Sequence, residues 1–352
     1  MPHIRRYADG EADSVLPTKT HIIADSARLS VAPMMDWTNR HCRYLHRLMS
    51  RRVLLYTEMV TAPALVRGNA RHLLRFDPAE HPVAVQLGGS DPTELAQAAR
   101  MAADEGYAEI NLNIGCPSDR VQSGAFGAVL MKEPQRVGDC VAAMMAAQPV
   151  EVTVKCRIGV DDQTPSEVLP AFIATMRAAG VRRMAIHARM AWLQGLSPKD
   201  NRDVPPLDYG LVYEMKRQFP DMHLSVNGGI SSLAQVRAHL DAGMDGVMIG
   251  RAAYHNPSGI LLNADAVIFG DPSGQSAEDV VDRMRPYIAD HLAEGGRLNS
   301  ITRHMLGLFT GRSGARRWRR ILSEQSHRRG AGLAVIDAAL ACISDFEDRR
   351  AG

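Results

Sequence analysis

The chain has 352 residues, 45% hydrophobic and 23% charged, with 41 Lys plus Arg against 39 Asp plus Glu and a formal net charge of +2. That length accommodates one large domain plus a smaller one, and the apolar content is that of a globular protein able to build its own core. Five cysteines, an odd number with no CxxC pair, argue against a disulfide framework and a structural zinc site. No apolar run is long enough to span a bilayer, and the charged start MPHIRRYADGEADS lacks the apolar stretch of a signal peptide, so a soluble, cytoplasmic protein is expected. With so small a net charge, affinity for a polyanion has to come from local clustering.

Residues 1–28 show no clear period and read as a flexible leader. Short β-branched or apolar runs that end in glycine, proline or a polar cluster then recur along the chain. They are RLSVAP ending at Pro33, VLLYTEM at 53–59, VAVQLGG at 83–89, YAEINLNIG at 107–115, VEVTVKCRIG at 150–159, RMAIHAR at 183–189, HLSVNGG at 223–229 and GVMIGR at 246–251. Between most of them lie segments with helical spacing, such as DPTELAQAARMAADEG and SLAQVRAHLDAG, opened by a capping residue and closed by glycine. Strands alternating with helices in this way predict a (β/α)8 TIM barrel over 29–274. A doubly wound open sheet is the rival, but no GxGxxG follows the first strand. From about residue 275 the strand pattern stops. SAEDVVDRMRPYIADHLAEGG, LNSITRHMLGLF and AGLAVIDAALACISDF carry apolar residues at three and four spacing, which predicts an all-helical domain over 275–352.

In a barrel of this kind the chemistry gathers at the C-terminal ends of the strands. Gln86, Asn113, Cys116, Lys155, Arg157, His187 and Asn227 all fall at or just past predicted strand ends. A loop cap explains Gln86 or Arg157 taken singly, and a satisfied core histidine explains His187, but these explanations fail for the whole set at one mouth. The last two strands end in Asn227, Gly228, Gly229 and in Gly250, Arg251, each followed by a helix, the place where barrels hold a phosphate. Lys155 follows Val152 and Val154 on an otherwise buried strand, and an amine there needs an anionic or electron-rich partner. Two partners suit it: a carbonyl substrate held as a Schiff base, or the electron-rich edge of a reduced flavin. The amide-rich mouth, with APMMD at the first strand end, suits an isoalloxazine edge better than a sugar phosphate. Cys116 is then placed to deliver a proton to a substrate atom whose neighbour receives hydride, with nucleophilic attack as the competing role. Between Arg297 and Arg329, nine arginines stand against the single acid Glu324, with Trp318 among them. Such a patch reads as phosphate contacts, the alternative being a solvated helix face.

APMMDWTNRHCRYLHRLMS, LYTEMV, VQLGGSDP, NLNIGCPS, VTVKCRIG, IHAR, GLSPKDNRDVPPLDY, VNGGI and GRAAYHNP, in this order, resemble the tRNA-dihydrouridine synthases, and the resemblance runs from about residue 29 to 325. GLSPKDNR and LGLFTGRSGARRWRR point to the A subfamily. The resemblance implies an FMN-dependent enzyme that uses NADPH to reduce uridines of the tRNA D-loop, U20 and U20a, to 5,6-dihydrouridine, with a barrel followed by a helical bundle. It further implies that Pro33, Met34 and Met35 line the flavin, that Gln86, Lys155 and His187 contact it, and that Asn227, Gly228, Gly229, Gly250 and Arg251 hold its phosphate end. Cys116 is expected to be the proton donor and Asn113 to touch the target nucleotide, while Lys199, Arg202, Arg316 and Arg319 look like tRNA contacts. Asn39 where an acid is expected, TAPAL after TEMV and the leader depart from the family pattern.

The expected reaction passes hydride from flavin N5 to uracil C6 and a proton from Cys116 to C5, on a base extruded from its stack at a cost of roughly a few kcal/mol. A monomer without metal is expected. The rival readings are a flavin barrel acting on a free enone or dihydropyrimidine, a Lys155 aldolase without flavin, and an RNA-binding module with a silent barrel. The first leaves the arginine-rich helices without a purpose.

Overall fold

The computed structural model describes residues 23, 25–118, 126–271 and 274–351, with side chains to residue 343. Most of the expected leader lies outside the described residues. The eight apolar runs form parallel strands: β1 (Leu29–Val31), β2 (Leu54–Thr61), β3 (Val83–Gly88), β4 (Glu109–Ile114), β5 (Glu151–Arg157), β6 (Arg183–His187), β7 (His223–Asn227) and β8 (Gly246–Ile249). They pair in sequence order, and β8 pairs with β1 to close the barrel. Every residue of β3, β4 and β6 is buried, as expected for parallel strands covered on both faces. Helices separate them where the capping signals predict. Asp91 accepts from the Glu94 amide at the start of Pro92–Glu105, and Ser232 accepts from the Gln235 amide at the start of Leu233–Asp241.

Two apolar clusters result. A small one, with Ala32, Leu54, Tyr56, Ala84, Ala185 and Met248, fills the barrel interior from Ile23 and Ala27 upward. The large one fills the space between strands and outer helices and continues without a break into the helical region, through Met284, Ile301, Phe309 and Ile343. The helical region therefore shares its core with the barrel. It docks on the helix Arg40–Met49, where Tyr44 stacks on Tyr287 at 4.0 Å and His41 Nδ1 bonds the Tyr287 hydroxyl at 2.8 Å.

The helix Ala277–Ala293 starts at a Ser276/Asp279 capping box and tolerates Pro286. LNSITRHMLGLF departs from expectation, since only Leu298–Thr302 is helical. The following turns bend the chain onto the barrel, where the Ser258 hydroxyl donates to the Leu308 carbonyl at 2.6 Å and the Thr310 hydroxyl donates to the His255 carbonyl at 3.1 Å. A helix spanning Ala315–Gln325 lies within the arginine run. It begins after Gly314, at φ 82°, where a Cβ would stand 2.3 Å from the Cys342 carbonyl oxygen. Trp318, expected on the RNA-facing patch, points inward instead. It is fully buried, packs edge-on against Phe309 at 4.8 Å and donates from Nε1 to the Met305 carbonyl at 3.0 Å. Alone among its arginine neighbours it fills the apolar stripe set by Ala315 and Leu322. Among the described residues no helix is long and apolar enough to cross a membrane, and no group of side chains is arranged to hold a metal.

Candidate active site

NLNIGCPS holds two asparagines because β4 alternates. Glu109, Asn111 and Asn113 share the inner face of the barrel, while Ile110, Leu112 and Ile114 belong to the outer core. The inner three belong to a hydrogen-bonded ladder that climbs from the floor to the mouth. Arg183 and the Thr153 hydroxyl donate to the Glu109 carboxylate, as does the Tyr56 hydroxyl at 2.6 Å. Asn111 Nδ2 donates to Thr153 Oγ1 at 2.8 Å and its Oδ1 accepts from Gln86 Nε2 at 2.8 Å. Gln86 Oε1 accepts from Asn113 Nδ2 at 2.7 Å, and Asn113 Oδ1 accepts from the Gly115 and Cys116 amides, each at 3.0 Å. Buried polar groups are costly unless satisfied, and here each rung satisfies the next. The ladder thus turns the chain after β4 so that Cys116 enters the mouth. Glu109, Asn111, Thr153 and Arg183 were not singled out by sequence reasoning, although polar residues at every second position of an otherwise apolar strand are a legible signal.

The mouth opens into a cavity of about 670 Å³, within the range of roughly 300–1,000 Å³ typical of cofactor and ligand sites. Pro33, Met34, Met35, Gln86, Asn113, Cys116, Lys155, Arg157, His187, Arg202, Asn227, Gly228, Gly229, Gly250 and Arg251 all line it. Lys199, Arg316 and Arg319 do not. They are exposed elsewhere, the first beside the turn Asp200–Arg202 and the other two on the helix Ala315–Gln325.

Four cations, Lys155, Arg157, Arg202 and Arg251, face the cavity against one carboxylate, Asp36, among the described residues. Lys155 has no hydrogen bond or ion pair among them, and burial, reinforced by Arg157, lowers its amine to about 8. Burial, then the nearby Arg157 and Lys155, pushes His187 well below the ordinary imidazole value, so it is neutral. At one end, Gly228 (φ 115°) and Gly229 (φ 69°) bring bare backbone to the wall. A Cβ on Gly228 would meet His187 Cδ2 at 2.7 Å, and one on Gly229 would meet Leu207 Cδ1 at 2.6 Å. Asn227 donates to the Met248 carbonyl at 2.7 Å, and Arg251 forms a forked pair with Asp203 at 2.6 and 3.1 Å. The Arg251 side chain is therefore already partnered.

The rim after β1 is held rigidly. Met34 N donates to Thr38 Oγ1 at 2.9 Å, Asp36 (φ 64°) donates from its amide to Glu58 Oε1 at 2.5 Å, and Arg303 from the helical region donates to the Asp36 carbonyl. Asn39, the departure from the expected acid, caps the helix Arg40–Met49 by accepting from the His41 and Cys42 amides.

A family model, Dihydrouridine synthase (Dus), matches residues 30–344. Three relatives carry the name tRNA-dihydrouridine(20/20a) synthase. The one from Escherichia coli (strain K12) is 56% identical over 94% of this chain and 96% of its own length. Those from Shewanella oneidensis and Vibrio cholerae are 55% and 54% identical, over 88% and 90% of this chain and 92% and 97% of their own lengths. Among solved structures, morphinone reductase superposes with a TM-score of 0.48 at 13% identity, over 72% of this chain and 88% of that one, a likeness too loose to carry a functional argument. A match of this extent, on a closed eight-stranded barrel with a helical C-terminal region, is decisive: the chain belongs to the dihydrouridine synthase family.

Proposed function

We propose that the protein reduces uridine to 5,6-dihydrouridine in the tRNA D-loop, at positions 20 and 20a, with FMN as its resident cofactor and NADPH as the electron source. The observation that carries this reading is the convergence in one cavity of the Cys116 thiol, the Lys155 amine, which has no partner among the described residues, and the bare backbone of Gly228 and Gly229. The residues fit a flavin mononucleotide. A cation-rich wall suits its phosphate, the glycines leave backbone free to meet that anion, and Pro33, Met34 and Met35 offer an apolar face for a ring system. Gln86, Lys155 and His187 would contact the ring, and Asn227, Gly228, Gly229, Gly250 and Arg251 would hold the phosphate end. When bound, the flavin supplies the hydride that adds to C6 of the base.

The chain's own residues do the rest. Lys155, its amine lowered by burial to about 8 and still largely protonated at pH 7, balances negative charge at the ring edge. Cys116 Sγ, 3.5 Å from the Ser118 hydroxyl, holds the proton that passes to C5. Asn113 acts chiefly through the Cys116 loop, because its amide oxygen is taken by the Gly115 and Cys116 backbone. Residues 275–352 form the RNA-gripping part. Arg316, Arg317, Arg319 and Arg320 are exposed on one short helix, suited to phosphates that position the tRNA, joined by Arg202 at the mouth and by Lys199 on the adjoining turn.

The test is an absorbance spectrum of the purified protein, followed by anaerobic NADPH and then unmodified tRNA. The expected result is a yellow protein that NADPH bleaches and tRNA reoxidises. Reoxidation only by a small enone would replace tRNA as the substrate, and a colourless protein that FMN cannot reconstitute would sink the flavin reading and favour a Schiff base at Lys155.

A further inference from the structure

Arg157 ends β5 at 3% exposure and makes no ion pair among the described residues. Its guanidinium is bonded to backbone carbonyls, and each belongs to a different segment. Nε donates to Gly115 at 3.0 Å, Nη1 to Met190 at 2.9 Å and to Asn201 at 2.8 Å. The first carbonyl immediately precedes Cys116, the second lies in the chain leaving β6, and the third lies in the turn Asp200–Arg202, next to Lys199. Asn201 is itself fully buried and closes the other half of the clamp. Its Oδ1 accepts from the Trp192 amide at 2.7 Å, while Nδ2 donates to the carbonyls of Trp192 at 2.8 Å, Leu196 at 3.2 Å and Ser197 at 3.4 Å. A buried charge held by carbonyls alone is tolerated only when its donors are well used, and the fixed fork of arginine, unlike a lysine ammonium, reaches several acceptors in one plane.

We propose that Arg157 and Asn201 are positioning residues that tie the RNA-facing turn carrying Lys199 and Arg202 to the Cys116 thiol, so that the proton donor and the RNA contact hold a common register. The proposal rests on the reading of Cys116 as the proton donor to a tRNA uridine. Asn201 fixes the turn, Arg157 fixes the turn to the Gly115 carbonyl, and Gly115 is bonded directly to Cys116. A thiol displaced by an ångström would still sit in the cavity but would no longer face the atom it protonates.

The experiment compares wild type, Asn201→Ala and Arg157→Lys in two measurements: iodoacetamide labelling of Cys116, and anaerobic reoxidation of NADPH-reduced enzyme by unmodified tRNA. Cys42, Cys140, Cys156 and Cys342 are buried, so early labelling reports Cys116. Both variants are expected to change the labelling rate by about threefold or more and to slow reoxidation by about tenfold or more, while Asn201→Ala is bleached by NADPH at the wild-type rate. A clamp that merely supports the fold would lower the melting temperature and leave both rates within about twofold of wild type, which overturns the proposal. Altered labelling with unchanged reoxidation overturns it as well, because the thiol position would then have no bearing on proton transfer. If Arg157→Lys does not fold, Asn201→Ala decides alone. If tRNA fails to reoxidise even the wild type, the substrate reading falls, and the labelling rates still decide whether the clamp holds Cys116.

Discussion

The barrel and the helical region use arginine in opposite ways. At the buried positions in and around the barrel the guanidinium is a structural part, whereas Arg202 stays exposed. Arg183 pairs with Glu109 inside the wall, Arg43 pairs with Glu80 at 2.6 Å, and Arg47 donates to the carbonyls of Glu80, Ser50, Val53 and Pro82, all at side chains that are nearly sealed from water. On the helix Ala315–Gln325 the guanidiniums of Arg316, Arg317, Arg319 and Arg320 are exposed and form no ion pairs among the described residues. A buried charge is retained only with fixed partners, whereas an exposed and unpaired one keeps its counterions and can exchange them for phosphates. One residue type therefore braces the barrel in the first region and leaves an exposed cationic surface in the second. Chemistry and RNA affinity should be separable by mutation.

The sharpest separation is expected from Cys116→Ala. Dihydrouridine formation should fall by about 10²–10⁴ while flavin content, NADPH bleaching and tRNA affinity stay at wild-type levels, as read by single-turnover kinetics and a binding titration. Turnover at the wild-type rate would break the assignment of the proton donor. Arg183→Met tests the structural use of arginine. It leaves Glu109 buried without its cation at the foot of the ladder and should cost about 3–5 kcal/mol in urea unfolding. A loss below about 1 kcal/mol, the worth of an exposed pair, would erase the contrast between the two regions.

Acid probes the seam between the regions. Burial, the largest cause in each case, lowers His41, His46 and His304 to about 3, so all are neutral in the folded protein and protonate near 6.5 once unfolded. The unfolded state then binds protons that the folded state refuses. Stability is full above about pH 6.5 and falls as pH drops toward 3, by about 2 kcal/mol per histidine at pH 5. Urea midpoints at pH 7 and pH 5 measure it, and a flat profile would show that these rings find protonated-state partners. Arg316→Glu combined with Arg319→Glu should weaken tRNA binding by about tenfold or more and make its salt dependence shallower, with the flavin spectrum unchanged. An unchanged salt slope would remove this helix from the RNA face. The smallest effect is expected from Asn39→Ala, which removes the cap of the helix on which the helical region docks and should cost about 1 kcal/mol by thermal melting.

How much was legible follows from which signals are local. Strand-length apolar runs, caps such as Asp91 and Ser232, and the glycines after β7 and β8 depend on neighbours within a few residues, so the eight strands and the mouth residues could be read along the chain. The exposed arginines were equally visible, but Trp318 was not placeable among them until the helix phase fixed Ala315, Trp318 and Leu322 on one inward stripe. LNSITRHMLGLF carried a helical period that yielded where Leu308 and the following Thr310 bond to Ser258 and His255, more than forty residues away in sequence.

The sequence by itself determined the barrel, the helical continuation and the set of reactive groups at the strand ends, because alternation, capping and turn chemistry act over short separations. Only the tertiary structure decided which partners those groups have. That Asn113 spends its amide on the Cys116 loop, that Arg251 is held by Asp203, that Lys155 has no partner among the described residues and that Arg157 joins three segments are all consequences of closing the barrel. Closure brings residues tens of positions apart to within 3 Å of one another, and a hydrogen bond is decided at that range, where sequence separation carries no information.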